Sequence, residues 1–291
     1  MTRIIASFRE IAADYDVLFF DVWGCLHDGI KPYPGAINGL LEYKKHGGTV
    51  VLLTNSPRPG HMTTKQINSI GVPRESWDII VTSGDAAQHS LFRGDVGNNV
   101  YHIGTRNEYP FFHEDMSEFP SPKINRVPLQ EAEGIVCTGP FDESLDNASD
   151  YLPDLEIALS KGFKLLCANP DLEVYRGSKK VICAGAIARQ YEMIGGDVLL
   201  FGKPKAEIYN LAFARAEKLL GQLDKSRILC VGDGPLTDLA GAIRNGYPSL
   251  FVTGGLAKDE TGTGLHPDQN KLHRYLARID MKPDFAIGYF G

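Results

Sequence analysis

The chain has 291 residues, 43% apolar and 23% charged, in the range of an ordinary soluble globular protein with more than one small core. Its net charge of −6 argues against nucleic acid or an anionic membrane as a partner, because both need a basic face. Five cysteines (Cys25, Cys137, Cys167, Cys183 and Cys230) stand far apart without a C-x-x-C pair, and eight histidines are equally scattered, which excludes a disulfide frame or a zinc-finger pattern.

The first residues, MTRIIASFREIAADYD, lack the apolar core of a signal peptide, and no run approaches the ~20 apolar residues of a membrane helix. A cytoplasmic location is therefore expected. The run Val17-Leu18-Phe19-Phe20 predicts a buried strand ending in Asp21. A helix over 34–45 follows, with Ile37, Leu40 and Leu41 on one face and Gly47-Gly48 ending it. Val50-Val51-Leu52-Leu53 predicts a second strand, ending in Thr54-Asn55, and a helix over 61–70 is closed by Gly71.

The middle of the chain has a different texture. Strand candidates at 99–103, 134–138, 163–168 and 181–183 mix with a helix near 150–161 and a proline-rich stretch (Pro120, Pro122, Pro128). These features predict a second α/β unit inserted into the first, giving spans 1–83, 84–180 and 181–291.

Beyond it, Val198-Leu199-Leu200-Phe201 predicts a further strand of the first unit, ending in Gly202-Lys203-Pro204. A helix over 205–220 should turn Ile208, Leu211, Leu219 and Leu220 inward before Gly221 stops it. Ile228-Leu229-Cys230-Val231 leads into Gly232-Asp233-Gly234, a helix over 236–244 closed by Gly246, and the run Ser249–Val252. The polar segment 258–269 reads as a solvated loop. Continuous apolar runs separated by amphipathic helices predict an α/β fold: a Rossmann-like, doubly wound parallel sheet covered on both faces, with the inserted α/β cap unit. Such sheets bind ligands at the carboxyl ends of their strands, near a topological switch point.

Those ends carry Asp21, Thr54-Asn55, Lys203 and Asp233, with Asp238 five residues past Asp233. Taken singly, each has a plain structural meaning: an Asp after a strand caps a helix, G-D-G makes a turn, and Asp238 complements a helix dipole. Together they form a set suited to phosphoryl chemistry. Paired carboxylates bind Mg²⁺, an ammonium and a hydroxyl face phosphate oxygens, and a carboxylate can attack phosphorus.

On these residues the sequence resembles the haloacid dehalogenase superfamily of aspartate-nucleophile hydrolases. It is most similar to class IIA, the branch of p-nitrophenyl phosphatase-like and nucleotide or sugar phosphatases. The motifs are FFDVWGCLHDG at 19–29, LLTNSPR at 52–58, FGKPKAEIY at 201–209 and VGDGPLTDLAGA at 231–242. The insert is similar to that class's cap through IVCTGPFDE at 135–143, CANPDLEV at 167–174 and AIARQYEMIGGDV at 186–198.

The resemblance implies Asp21 as nucleophile and Mg²⁺ ligand, Thr54 and Asn55 on the phosphoryl group, and Lys203 steadying both phosphate and Asp21. It further implies Asp233 as the second carboxylate on the metal, the main-chain carbonyl of Trp23 as a metal contact, and Asp238 on metal-bound water or Lys203. The function implied is Mg²⁺-dependent hydrolysis of a small phosphorylated metabolite, such as a sugar or nucleotide phosphate, by a soluble enzyme whose caps often pair as homodimers.

One position departs from the pattern. The family's phosphatases carry a general acid–base Asp two residues after the nucleophile, and here that residue is Trp23. Losing such help costs roughly 10²–10⁴-fold in rate. Three readings follow: a phosphatase for good leaving groups or with an acid drawn from His27 or Asp28, an Asp-nucleophile hydrolase of another bond, or a non-catalytic phospho-ligand sensor or scaffold. His27 and Asp28 read equally as loop residues, and Cys25 as a small buried residue packing the loop. Arg58 of the second motif and Arg106, Tyr109, Asn169 and Asp171 of the insert are further candidates for substrate contact, since such an insert is expected to close over the crevice.

Overall fold

The computed structural model describes residues 2–112, 123–176 and 179–291. Pro120 and Pro122 of the proline-rich stretch lie outside the described residues. The chain divides into two compact units, one of Met1–Thr54, Thr64–Val81 and Lys203–Gly291, the other of Asn55–Thr63 and Thr82–Gly202.

In chain order the elements are β1 (Arg3–Ile4), β2 (Val17–Asp21), α1 (Pro34–Lys45), β3 (Thr49–Thr54), α2 (Gly60–Ile70) and β4 (Ile79–Thr82). Then come α3 (Ser83–Phe92), β5 (Asn99–Ile103), β6 (Asn125–Arg126), β7 (Gly134–Cys137), α4 (Leu152–Ser160), β8 (Lys164–Cys167), β9 (Glu173–Arg176), β10 (Lys179–Ile182), α5 (Ala184–Met193) and β11 (Asp197–Leu200). The chain returns through α6 (Ala206–Leu220), β12 (Ile228–Gly232), α7 (Ala240–Asn245), β13 (Ser249–Val252), α8 (Lys258–Thr261), α9 (Gln269–Arg278) and β14 (Phe285–Ile287).

The first unit holds a seven-stranded sheet in the order β1-β14-β13-β12-β2-β3-β4. From β2 the chain steps outward one way through β3 and β4, and from β12 the other way through β13 and β14. The β2–β12 seam is therefore the switch point at which a doubly wound sheet opens its crevice. Strands β12 and β2 are parallel, as are β2 and β3, and the register sets Asp21 beside Leu53 and Val231 beside Phe20.

The apolar runs are continuous because both faces are covered. Leu18 and Phe20 of β2, Val50 and Leu52 of β3, and Leu229 and Val231 of β12 join one core with Ile37 and Leu40 of α1 and Ile67 of α2. The intervening Val17, Phe19, Val51, Leu53, Ile228 and Cys230 join the opposite core with α6 and α7. Every side chain of these strands up to the site-bearing ends is thereby removed from water, and apolar burial at about 25 cal/mol per Å² holds the strands in register.

Three expectations are corrected. The strand at 198–201 does not belong to the first unit: β11 pairs in parallel with β8 at the edge of a five-stranded sheet, β11-β8-β7-β5-β6, in the second unit. The return to the first unit thus falls at Lys203 rather than residue 181. An apolar run reads alike in either sheet, and only its pairing partner decides between them. Helix α6 buries Ile208, Tyr209, Ala212 and Ala216 and leaves Leu219 and Leu220 exposed, so the inward stripe runs through small residues. The segment 258–269 is largely exposed, as a solvated loop should be, but it opens with α8 and tucks in a hydroxyl relay, in which Thr263 donates to Thr253 at 2.8 Å with Thr261 2.8 Å from Thr263. The buried threonines satisfy one another, so these hydroxyls are withdrawn from water without being orphaned.

Candidate active site

The site forms where β2, β3, β12 and the segment before α6 end in the first unit. Asp21 closes β2, and Thr54 closes β3 one residue beyond Leu53, Asp21's strand partner. Asp233 follows β12, the strand on the other side of β2. Asp238 sits in a π-helical turn (Pro235–Leu239), which Leu239 closes by donating its N–H to the Gly234 carbonyl. All five key side chains are buried: Lys203 and Asp233 are each 3% exposed, and Asp21, Thr54 and Asp238 are 6–7% exposed.

Lys203 is the hub. Its ammonium donates to Asp21 Oδ1 at 2.5 Å, to Asp238 Oδ1 at 2.7 Å and to the Leu53 carbonyl at 3.0 Å. Asp238 is fixed in turn, since its Oδ2 accepts from the Gly234 N–H at 3.1 Å and lies 3.3 Å from the Thr237 hydroxyl. Asp233 Oδ2 accepts the Leu256 N–H at 2.9 Å. Buried ion pairs of this kind hold only where their remaining polar atoms find partners, and here the backbone supplies them.

The electrostatics leave room for more positive charge. Burial and then the Asp238 carboxylate push Asp233 up to about 7, with the Leu256 N–H opposing. Burial and then Asp238 raise Asp21 well above the carboxylate range, although Lys203 pulls the other way. Burial works against the Lys203 ammonium, but Asp21 and Asp238 outweigh it and hold Lys203 charged. One ammonium among three buried carboxylates is an unbalanced set, and a divalent cation would relieve it.

The residues fit such a cation. Asp21 and Asp233 offer hard carboxylate oxygens within 4.8 Å of each other. The backbone is shaped around Asp233: a Cβ on Gly24, whose φ is +88°, would lie 2.4 Å from its Oδ2, and one on Gly255 would lie 2.0 Å away. Gly24 belongs to the turn that carries Trp23. The same cluster includes the Cys25 sulfur. The expectation that Cys25 packs in the core holds, at 3% exposure, but its thiol also faces the carboxylates; burial and then Asp233 push it up.

The other sequence candidates divide. Trp23 is half-buried, its ring edge-on to His27 at 5.2 Å and pressed on Gly29, where a Cβ would meet it at 2.6 Å. His27 is 1% exposed, its Nδ1 accepts the Gly29 N–H at 2.9 Å, and burial lowers it to about 4, so it is neutral. Asp28 closes a turn by accepting from Lys31 and Ile30 N–H groups, which hold it below the usual carboxylate range. Asn55, Arg58, Arg106, Tyr109, Asn169 and Asp171 lie in the second unit. There Asn55 donates to Asp171 Oδ1 at 2.8 Å, and Asn169 Oδ1 accepts the Asp171 N–H at 3.0 Å. Arg58 pairs with buried Glu108 at 3.2 Å, the Arg126 guanidinium stacks 3.3 Å over Tyr109, and Arg106 is exposed.

Sequence reasoning missed the Leu53 carbonyl, the Leu256 N–H and Gly255. The last two belong to the ending of β13, Thr253-Gly254-Gly255-Leu256, which is glycine-rich like Gly232-Asp233-Gly234 after β12.

A doubly wound α/β sheet with a buried Asp–Lys–Asp cluster at its switch point is a candidate aspartate-centred site. Comparison with known proteins takes this further. The family model for haloacid dehalogenase-like hydrolases matches residues 18–115, and a HAD-hydrolase-like model matches 200–277. A haloacid dehalogenase-like hydrolase of Brucella suis 1330 is 34% identical, with 98% of this chain and 99% of that chain covered and a TM-score of 0.85. The 4-nitrophenylphosphatase of Thermotoga maritima shares the fold at 22% identity and a TM-score of 0.68, with 96% of each chain covered. A D-glycerol 3-phosphate phosphatase of Mycobacterium tuberculosis is 26% identical over 85% of this chain. The chain spans 65% of that relative's length and 55% of a second curated relative's. The chain belongs to the haloacid dehalogenase-like hydrolase family.

Among the described residues no helix is long and apolar enough to cross a membrane.

Proposed function

We propose that the protein hydrolyses a small phosphate ester, with Asp21 as nucleophile. The observation that supports the reading is the Lys203 bridge to Asp21 Oδ1, and Oδ2 is assigned as the attacking oxygen. In the first step the Oδ2–phosphorus bond forms as the phosphorus–oxygen bond to the leaving alcohol breaks. In the second, water attacks phosphorus, frees the Asp21 carboxylate and releases inorganic phosphate. Lys203 and the Thr54 hydroxyl are assigned to the phosphoryl oxygens, and Asn55 joins them as the residue after Thr54. Asp21, Asp233 and the Trp23 carbonyl are assigned to Mg²⁺, which when bound supplies neutralisation of phosphate charge.

The proton is the difficult part. Neutral His27 and turn-bound Asp28 are poor acids near pH 7 by the contacts given above. Aryl and acyl phosphates, whose leaving groups need no proton, are therefore the favoured substrates. The relatives' substrates, a nitrophenyl and a glycerol phosphate, span the two kinds of leaving group. Arg58, Arg106, Tyr109, Asn169 and Asp171 are proposed as specificity residues. The cytoplasm suits five buried free thiols, and a homodimer is the proposed assembly.

The test is phosphate release from a panel of alkyl, aryl and acyl phosphates with Mg²⁺ or EDTA. Release that needs the metal and is abolished in Asp21→Asn is the expected outcome. Unchanged activity in Asp21→Asn would overturn the assignment. Phosphate and Mg²⁺ binding without release from any ester would favour the phospho-ligand sensor, the reading that an acid-free loop also allows.

A further inference from the structure

Among the described residues one group of three metal-ligating side chains converges: Asp21, Cys25 and Asp233, all buried, with one ligand atom from each within 4.8 Å of the others. Two of them are the carboxylates assigned above to Mg²⁺. The third is a sulfur, which that ion has no use for. Mg²⁺ takes oxygen ligands in near-octahedral geometry, whereas Zn²⁺ and Cd²⁺ favour thiolate.

We infer that the site has a second metal mode, in which a thiophilic divalent cation is held by Asp21 Oδ, Asp233 Oδ and Cys25 Sγ and ties up the carboxylate that would attack. The inhibitory half of this inference rests on the reading of Asp21 as nucleophile; the binding half does not.

The spacing itself fits, and two further features support the inference. Ligand atoms around a tetrahedral zinc stand roughly 3.3–3.8 Å apart, given bonds of about 2.0–2.3 Å, so this trio closes on an ion by shifts of about an ångström. Cys25 lies four residues after Asp21 on a compact turn, where Leu26 and His27 N–H groups both bond the Val22 carbonyl, so the backbone that carries it is fixed. Asp233 Oδ2 is held by the Leu256 N–H and crowded by Gly24 and Gly255, which leaves the carboxylate little freedom to turn away. The thiol proton leaves to solvent as the metal–sulfur bond forms, as with any thiolate site, so no oxidant or reductant is involved. By ligand softness and the Irving–Williams order, Zn²⁺ should displace Mg²⁺ from this trio rather than bind beside it.

The experiment uses the full chain stripped of metal, with Cd²⁺ alone as probe. The expected result is an ultraviolet thiolate-to-cadmium charge-transfer band that saturates, persists in Cys183→Ser and is lost in Cys25→Ser. Cd²⁺ affinity in the latter should fall by at least the roughly 10–100-fold that loss of a mere outer-shell partner costs. Circular dichroism checks that Cys25→Ser folds; if it does not, X-ray absorption on the zinc-loaded wild type decides, by a sulfur in the metal's shell or oxygen alone. A band unchanged in Cys25→Ser, no band, or an all-oxygen shell overturns the inference. In the same protein, Zn²⁺ should inhibit Mg²⁺-supported phosphate release more weakly after Cys25→Ser. A Cys25-dependent band in a protein that turns over no ester would sink the phosphatase reading and leave the metal mode standing.

Discussion

Replacing Lys203 with Met removes the charge and keeps most of the stem. In the wild type the ammonium is 3% exposed and bonded to Asp21, Asp238 and the Leu53 carbonyl. Its loss leaves two buried carboxylates uncompensated near a third and strips the Leu53 carbonyl of a donor. Breaking a buried pair in this way costs about 3–5 kcal/mol, because the remaining charge stays desolvated. Both tryptophans, Trp23 and Trp77, belong to the first unit, so urea unfolding followed by tryptophan fluorescence reads that unit directly. The deficit should shrink in acid. Asp21 and Asp233 are raised in the folded state, so the native protein binds more protons than the unfolded chain above the ordinary carboxylate range, and stability falls as pH rises through that window. Adding Asp238→Asn removes one orphaned charge and should recover part of the loss, giving a coupling energy of about 1–3 kcal/mol in the double-mutant cycle. A Lys203→Met protein within about 1 kcal/mol of wild type, or strictly additive effects, would refute the bridge as the site's electrostatic keystone.

Trp23→Asp should raise turnover of alkyl phosphates by about 10²-fold or more relative to Trp23→Ala, which matches it in lost packing but brings no acid; equal rates would show that proton transfer is not what the site lacks. Gly255→Ala forces a methyl toward Asp233 Oδ2 and should weaken Mg²⁺ binding by roughly 10–100-fold while the fold persists, as calorimetric titration would record. In the second unit, burial and then Arg126 lower His102 to about 4, with its Nε2 2.9 Å from the Thr138 hydroxyl. The folded form thus keeps His102 neutral, so its contribution is complete above about pH 6.5 and is lost as pH falls toward about 4. It amounts to about 1–3 kcal/mol after allowance for its partial exposure. Calorimetric melting of wild type and His102→Gln across that range should show the variant's flatter pH dependence.

How much of this was legible in the sequence follows from what each residue depends on. The runs around Phe19, Leu52 and Val231 announced buried parallel strands because both of their faces meet helices, and no solvent face interrupts the pattern. Asp21, Thr54 and Asp233 were legible as strand endings, since a switch-point crevice gathers whatever stands there. Lys203 was found for a partly wrong reason: it follows a strand, but one that pairs with β8 in the other unit, and it reaches Asp21 from the segment before α6. Sequence shows that a run is buried, not in which sheet. The contacts from Leu53 and Leu256 were invisible because main-chain groups carry no side-chain signature, and the inward stripe of α6 was misassigned because alanines rather than leucines face the sheet.

Cys25 shows the same limit from the other side. Its sequence character, a small apolar residue after a glycine, describes its packing correctly and says nothing of the direction of its sulfur. Asp21 and Cys25 are four residues apart on a turn, while Asp233 is distant in the chain, so only the β2–β12 pairing turns a packing residue into a neighbour of two carboxylates. A substitution such as Cys25→Ser, conservative for the core, is therefore expected to change which metal the site prefers. The choice between hard and soft cations rests on this one atom, since the other two ligands serve both.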